Sequence, residues 1–389
     1  MTVLALAHVT DDVNQSFIPA LLPYLILERH LSHETAATLV FWQAVSSSVI
    51  QPAIGVVADR RSMPWLIAVG ILLAGSGVAL LGVLPTLPLL FLAALASGIG
   101  VATFHPEAAR FANYVSGDKK ASGMRWFTVG GNLGFALGPA FATAAISMWG
   151  MHGTLAASVP VTILGGIVFL EIPRLRTFVP AHVKRRTSAG HDDWLAFGKL
   201  SAFVILRSMA YIGSVSFVPL FLVEALHASP AVGDGVLMAF LLAGAAGTIA
   251  GGPIADRIGR KPVILCSTAL TALLFGALVL IGPAGGIVVA VPWLLVTGFV
   301  FVAAQASFVV LGQEYLPNRV GLASGVTLGL AVSLGGAFTP VLGMIADRWG
   351  VGASIATVAA LALGATLIAL TLPRETRQQA KAAAAQAVA

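Results

Sequence analysis

Charged and polar side chains inside long apolar runs are the residues most able to do chemistry here, because an ionisable group within a bilayer is costly to keep without a use. His8, Asp12 and Ser16 are spaced i, i+4 and i+8, so they share one face of a helix. Asp11 points to another face of that helix, near Asn14 and Gln15. A carboxylate withdrawn from water is a place where a proton can be taken up and released. The competing role for both aspartates is hydrogen bonding to neighbouring helices.

A later run carries His105-Pro106-Glu107 with Arg110 one turn on. Histidine titrates near neutrality, which suits His105 and Glu107 to proton relay, against the plainer role of a packed, neutral ring. Glu107 and Arg110 are i and i+3 and can pair as a structural bridge or a gate. Pro106 removes one backbone hydrogen bond and loosens the helix locally. In the second half of the chain Arg207 stands about ten residues into an apolar run, with Tyr211 and Ser214 at i+4 and i+7. A guanidinium keeps its proton, so it needs either an acidic partner, Asp12 or Glu107, or an anionic ligand. Its planar fork fits phosphonate, phosphate or carboxylate. His8, Gln43 and Asn132 are further candidates for lining a substrate path. Gln43, Ser47 and Gln51 form a polar stripe that serves equally well to hold helices together.

The elements that must position these residues follow from composition. Hydrophobic residues make up 58% and charged residues 10% of 389, with mean hydropathy +0.93, far from a soluble domain. The net charge of +6 does not mark a nucleic-acid partner, because the basic residues fall in short gaps between apolar runs. A single cysteine, Cys266, excludes an intramolecular disulfide. The first residues lack a basic stretch and are interrupted by Asp11-Asp12, so they do not read as a cleavable signal.

Counting bilayer-length runs gives twelve helices, with approximate spans 2–27, 36–58, 64–84, 87–111, 121–146, 153–172, 197–225, 232–255, 262–282, 285–312, 319–346 and 351–372. Arg60, Arg61, Lys119, Lys120, Arg257, Arg260 and Lys261 fall in even-numbered gaps, whereas the odd-numbered gaps hold only Arg29 and Arg348. That asymmetry predicts both termini on the cytoplasmic side. The expected organisation is a six-helix bundle over 1–172, a cytoplasmic connector over 173–196, a second bundle over 197–372 and a cytoplasmic tail over 373–389.

The two halves repeat each other. Gly252-Pro253-Ile254-Ala255-Asp256-Arg257 answers Gly55-Val56-Val57-Ala58-Asp59-Arg60, with the aspartates 197 positions apart. Ala121-Ser122-Gly123 matches Ala323-Ser324-Gly325, and Trp149-Gly150 matches Trp349-Gly350. Duplicated halves of this size are the mark of a secondary transporter. Asp59 and Asp256 can accept hydrogen bonds from a helix N-terminus, while Arg60, Arg257 and Arg260 can pair with acids and release them as the halves rock.

The Gly-x-x-x-Asp-Arg loops resemble the signature of the major facilitator superfamily; the copy with Gly259-Arg260-Lys261 is the fuller, and the first departs from it at Arg61-Ser62-Met63. Several stretches are similar to the fosmidomycin resistance protein family: His8-x-x-x-Asp12, Met63-Pro64-Trp65, Phe104-His105-Pro106-Glu107, Val129-Gly130-Gly131-Asn132 and Gly251-Gly252-Pro253. The resemblance spans nearly the whole chain. It implies an all-α major facilitator fold in the inner membrane and export of small anionic drugs, fosmidomycin-like phosphonates first, in exchange for protons. Uptake or exchange of an organic anion is the alternative. No phosphate-binding Gly-x-x-x-x-Gly-Lys loop is present, so energy comes from gradients and no cofactor is expected. A membrane-embedded enzyme using His105 and Glu107 is disfavoured, since no cluster of cysteine, histidine and aspartate stands out to hold a metal ion. A monomer is expected, one pair of bundles making a complete cavity.

Overall fold

The computed structural model describes residues 1–60, 62–116, 120–178, 191–319, 322–323, 326–327 and 331–373, with the side chains of 52, 55–60, 120–123, 125 and 331–333 also outside the description. Among these residues there are helices and no strand. In order they are α1 (Thr2–Arg29), α2 (His33–Arg60), α3 (Trp65–Leu80), α4 (Leu87–Val115), α5 (Lys120–Trp149), a 3-10 stretch (Gly150–Ala157), α6 (Ser158–Arg176), α7 (Trp194–Glu224), α8 (Pro230–Ile258), α9 (Arg260–Val302), α10 (Gln305–Tyr315), α11 (Ala331–Ala337), α12 (Thr339–Trp349) and α13 (Val351–Leu370).

Six stretches are long and apolar enough to cross a membrane. Two of them are too long for one crossing. Trp126–Arg176 has 51 residues and Arg260–Tyr315 has 56. At about 1.5 Å per residue each exceeds twice a hydrocarbon core of about 30 Å. Both contain a glycine with a left-handed backbone, Gly150 at φ +57° and Gly286 at φ +61°. Gly286, at φ +61° and ψ −163°, is non-helical and divides the longer stretch into two helices that meet at a kink, near where the ninth and tenth expected spans adjoin. α1 is made more polar by Asp11, Asp12, Asn14 and Gln15.

The chain divides into two compact units. Unit 1 holds Met1–Arg185 together with Ser229–Met238 and Gly336–Asp347; unit 2 holds Arg186–Ala228, Ala239–Gly335 and Arg348–Ala389. In unit 1, α1 packs on α5, and α4 packs on both α2 and α3. The close approach of α1 to α5 depends on small residues at every fourth position: a side chain at Gly130, Gly134 or Gly138 would meet Ala5 O, Val9 O or Ser16 Oγ. The corresponding second-half stripe, Gly325, Gly329 and Ser333, lies outside the described residues and side chains. The core below it gathers Leu4, Ile67, Ile71, Phe104, Phe111 and Val168. In unit 2, α13 packs on α7 and α9 around Phe203, Ile264, Phe308 and Leu311.

Candidate functional site

Four stretches widely separated in the sequence meet within unit 1. His8 lies between Phe127 and Phe104, stacked on the first with ring centroids 4.1 Å apart. Its Nδ1 is 2.8 Å from Phe127 O. A carbonyl only accepts, so Nδ1 carries the proton and donates. His8 Nε2 is therefore aimed at Asp12 Oδ2, 3.4 Å away. His105 sits at 5.1 Å from the His8 ring, edge-on. Its Nε2 is 3.4 Å from Asp12 Oδ1, and its Nδ1 is 3.3 Å from Asp11 Oδ2 and 3.1 Å from Val101 O. One imidazole thus touches both carboxylates.

The arrangement corrects two expectations. Asp11 does not turn away from Asp12's neighbourhood: adjacent residues point about 100° apart on a helix, and the His105 ring is wide enough to bridge them. Nor is the chain without a histidine–aspartate cluster. Ligand atoms of His8, Asp12 and His105 all lie within 4.8 Å of one another, close enough to share one small cation, whether a proton or a metal ion. Asp11 is completely buried and Asp12 nearly so, and neither Asp11 oxygen nor Asp12 Oδ1 accepts a hydrogen bond from a regular donor among the described residues.

Gly131 makes room for the cluster. A Cβ there would stand 2.6 Å from His8 Nε2 and 2.7 Å from Asp12 Oδ2. Its neighbour Asn132 is exposed. Glu107 faces a different way. It receives the Met63 N–H at 2.5 Å and the Arg110 guanidinium at 2.5 Å, so it joins α4 to the start of α3. The Met63-Pro64-Trp65 and Phe104-His105-Pro106-Glu107 stretches are thereby in direct contact. Gln43 spends its amide on Asn14 O at 3.3 Å and Ser97 Oγ at 3.1 Å, joining α2 to α1 and α4 as a packing residue does.

Arg207, in unit 2, is only 3% exposed. Its guanidinium carbon lies 5.0 Å from the Phe301 ring and 4.8 Å from the Phe308 ring, and it donates to Phe301 O at 2.9 Å. Nε is buried without a partner. Among the described residues of unit 2 no carboxylate lies within ion-pair distance of it. Tyr211 packs edge-on against Phe301 at 5.7 Å, and Ser214 donates to Tyr211 O at 2.7 Å. Aromatic faces and one carbonyl stabilise a guanidinium without neutralising it.

Of the loop residues, Asp256 and Arg257 are exposed and Arg260 pairs with Glu314 at 2.8 Å. The side chains of Asp59 and Arg60 lie outside the described set. A third copy of the loop pattern went unnoticed in the sequence. Gly343-Met344-Ile345-Ala346-Asp347-Arg348-Trp349-Gly350 repeats Gly252-Pro253-Ile254-Ala255-Asp256-Arg257-Ile258-Gly259 at the glycine, isoleucine, alanine, aspartate and arginine positions. Asp347 caps α2: it accepts the N–H groups of His33 at 2.9 Å and Glu34 at 3.0 Å, and contacts His33 Nδ1 at 2.7 Å. Partial burial pushes its carboxyl up, but those donors outweigh it and hold Asp347 below the usual aspartate range. Gly343 allows the approach, since a Cβ would stand 2.6 Å from Glu34 Cα. A second residue that sequence reasoning missed is Asp234, near the start of α8, which accepts from Thr143. Its signal was an acid just inside an apolar run.

Comparison with known proteins agrees with this architecture. Residues 4–340 match the model of the Major Facilitator Superfamily. The chain is 32% identical to the fosmidomycin resistance protein of Escherichia coli over 352 residues, covering 89% of this chain and 86% of that protein. It is 30% identical to an uncharacterized MFS-type transporter, YfnC, of Bacillus subtilis, covering 96% and 93%. Among solved structures, a bacterial homolog of the human lysosomal transporter Spinster superposes with TM-score 0.82 at 14% identity, covering 97% of each chain. The nucleoside transporter NupG, as a D323A mutant, superposes with TM-score 0.76 at 15% identity, covering 96% and 99%. A helical fold among the described residues and a family match over residues 4–340 lead to one assignment: the chain is a membrane transporter, not an enzyme, and belongs to the major facilitator superfamily, as a relative of the fosmidomycin resistance protein.

Proposed function

We propose that this transporter exports small anionic drugs, phosphonates of the fosmidomycin type first among them, in exchange for protons. The observation that carries the anion is Arg207, a buried guanidinium with a free Nε and no carboxylate in reach among the described residues of unit 2. Its fork receives the substrate anion, with Tyr211 and Ser214 on the same helix face. Asp12, Asp11 and His105 carry the proton, with His8 orienting Asp12. Glu107, locked to Arg110 and Met63, belongs with Arg110 to the gating structure rather than to the proton path. Asn132 lines the path, and Gln43 acts by fixing helices. Asp256, Arg257 and Arg260, with Asp59 and Arg60, control the cytoplasmic end.

The transporter lies in the cytoplasmic membrane as a monomer with both termini inside, its bundles (1–172 and 197–372) joined by the connector 173–196. Each proton entering down an inside-negative potential contributes about 2.3 kcal/mol per 100 mV, and the same potential favours an anion leaving. The name of the Escherichia coli relative supports the drug class. The alternative is uptake or exchange of an organic anion through the same Arg207. Binding of fosmidomycin to the purified protein, measured by calorimetry for wild type, Arg207→Ala and Arg207→Lys, tests the proposal. Binding that disappears in the alanine variant and partly survives in the lysine variant supports it. Equal binding in all three removes Arg207 from the substrate site.

A further inference from the structure

Asp234 has no part in the mechanism above, yet it is a buried carboxyl with no charged partner among the described residues. It lies on the second turn of α8, within unit 1, and is completely buried. Its Oδ2 accepts the hydroxyl of Thr143, on α5, at 2.7 Å. Thr143 Oγ1 is also 3.2 Å from the hydroxyl of Tyr24, near the end of α1. Threonine has one proton, and it is directed at Asp234, so Tyr24 must be the donor to Thr143. The chain of bonds runs one way: Tyr24 to Thr143 to Asp234.

The other oxygen, Asp234 Oδ1, is buried and has no partner. Among the described residues no lysine, arginine or histidine lies within ion-pair distance of Asp234. The titratable group that faces it is Tyr24, which brings no positive charge. A buried carboxylate with only neutral hydroxyls beside it and one orphaned oxygen is a costly form for this group to take. A proton on Oδ1 removes the charge at once. The three bonded residues come from α1, α5 and α8, so the pocket exists only while those helix ends are packed together.

We propose that Asp234 is a second proton-binding site, distinct from the His8, Asp11, Asp12 and His105 cluster, occupied while the ends of α1, α5 and α8 are packed and emptied when they part. A proton joins Oδ1 as the helices close, and leaves to water as they open. The inference rests on the chain being a transporter and not on the identity of its drug.

Infrared spectroscopy of the purified full-length protein at neutral pH, without any drug, tests it separately from the phosphonate proposal. Wild type should show the carbonyl band of a protonated carboxyl, and Asp234→Asn, which keeps an acceptor for Thr143, should lose it. Thr143→Val should retain the band at a shifted frequency, because the carboxyl keeps its proton but loses its hydrogen bond. A spectrum unchanged by Asp234→Asn would overturn the proposal, and so would a band that Thr143→Val leaves at the same frequency.

Discussion

The two charged regions of this transporter are built by opposite rules. In unit 1, two carboxylates and two imidazoles crowd together, with His105 reaching Asp11 and Asp12 at 3.3 and 3.4 Å. Every charge there has a titratable neighbour, so the group can change its proton content without stranding an isolated ion. In unit 2, Arg207 has only a carbonyl and two ring faces. A guanidinium does not release its proton, so under the proposed function what changes there is the anion beside it. The proposed function thus assigns proton traffic and anion binding to separate side-chain sets, which mutation should separate.

The largest effect is expected at Arg207. Hydrogen bonds to charged groups contribute about 1.5–3 kcal/mol, so Arg207→Ala should weaken fosmidomycin binding by about ten- to a hundredfold, and Arg207→Lys by less. Calorimetry on purified protein reads this directly. Binding that instead depends on Asp12 and not on Arg207 would erase the contrast between the regions.

Gly131 sharpens the contrast from the other side. A leucine there drives a side chain into His8 and Asp12, an overpacking of about 1–3 kcal/mol focused on the proton cluster. Gly131→Leu should abolish proton uptake in vesicles while fosmidomycin affinity stays within roughly threefold, under about 0.7 kcal/mol. Asp12→Asn should act in the same direction without the steric load. Equal losses of binding and proton uptake in both variants would mean that the two regions are one site.

The smallest effect belongs to the cap on α2. Removing a capping carboxylate costs about 1 kcal/mol, so Asp347→Asn should lower thermal stability slightly at neutral pH. Asp347 is held below the usual aspartate range, so its contribution is complete above about pH 4 and is lost as pH falls through its lower folded value. The stability difference between wild type and Asp347→Asn, followed by tryptophan fluorescence on heating, should therefore shrink as pH drops below about 4. A difference independent of pH would make the cap a matter of shape. Gly343→Ala, which drives a methyl group into the Glu34 backbone, should destabilise at every pH.

Much of this was legible in the sequence, for physical reasons that also mark its limits. Hydropathy sets the helices because lipid demands it, and an arginine in an apolar run announces itself. His8 and Asp12 were readable because i and i+4 share a helix face. Asp11 was misjudged because face arithmetic treats a partner as a point, whereas the His105 ring presents two nitrogens on opposite sides. Gly131 has a reason only once His8 and Asp12 occupy its missing side chain. Asp234 and Asp347 escaped notice because each stands near a loop, where an acid looks solvated, and their burial or capping depends on helices from the other half of the sequence. The span count shows the same limit: the break between the ninth and tenth spans is a kink at Gly286, too short to read as a loop.

The most direct test of the central claim is proton movement in proteoliposomes on addition of fosmidomycin, comparing wild type with Arg207→Ala. Coupled transport through an Arg207 anion site predicts a substrate-dependent proton signal in wild type that vanishes in the variant. A signal of equal size in Arg207→Ala, or none in wild type with fosmidomycin, would contradict it.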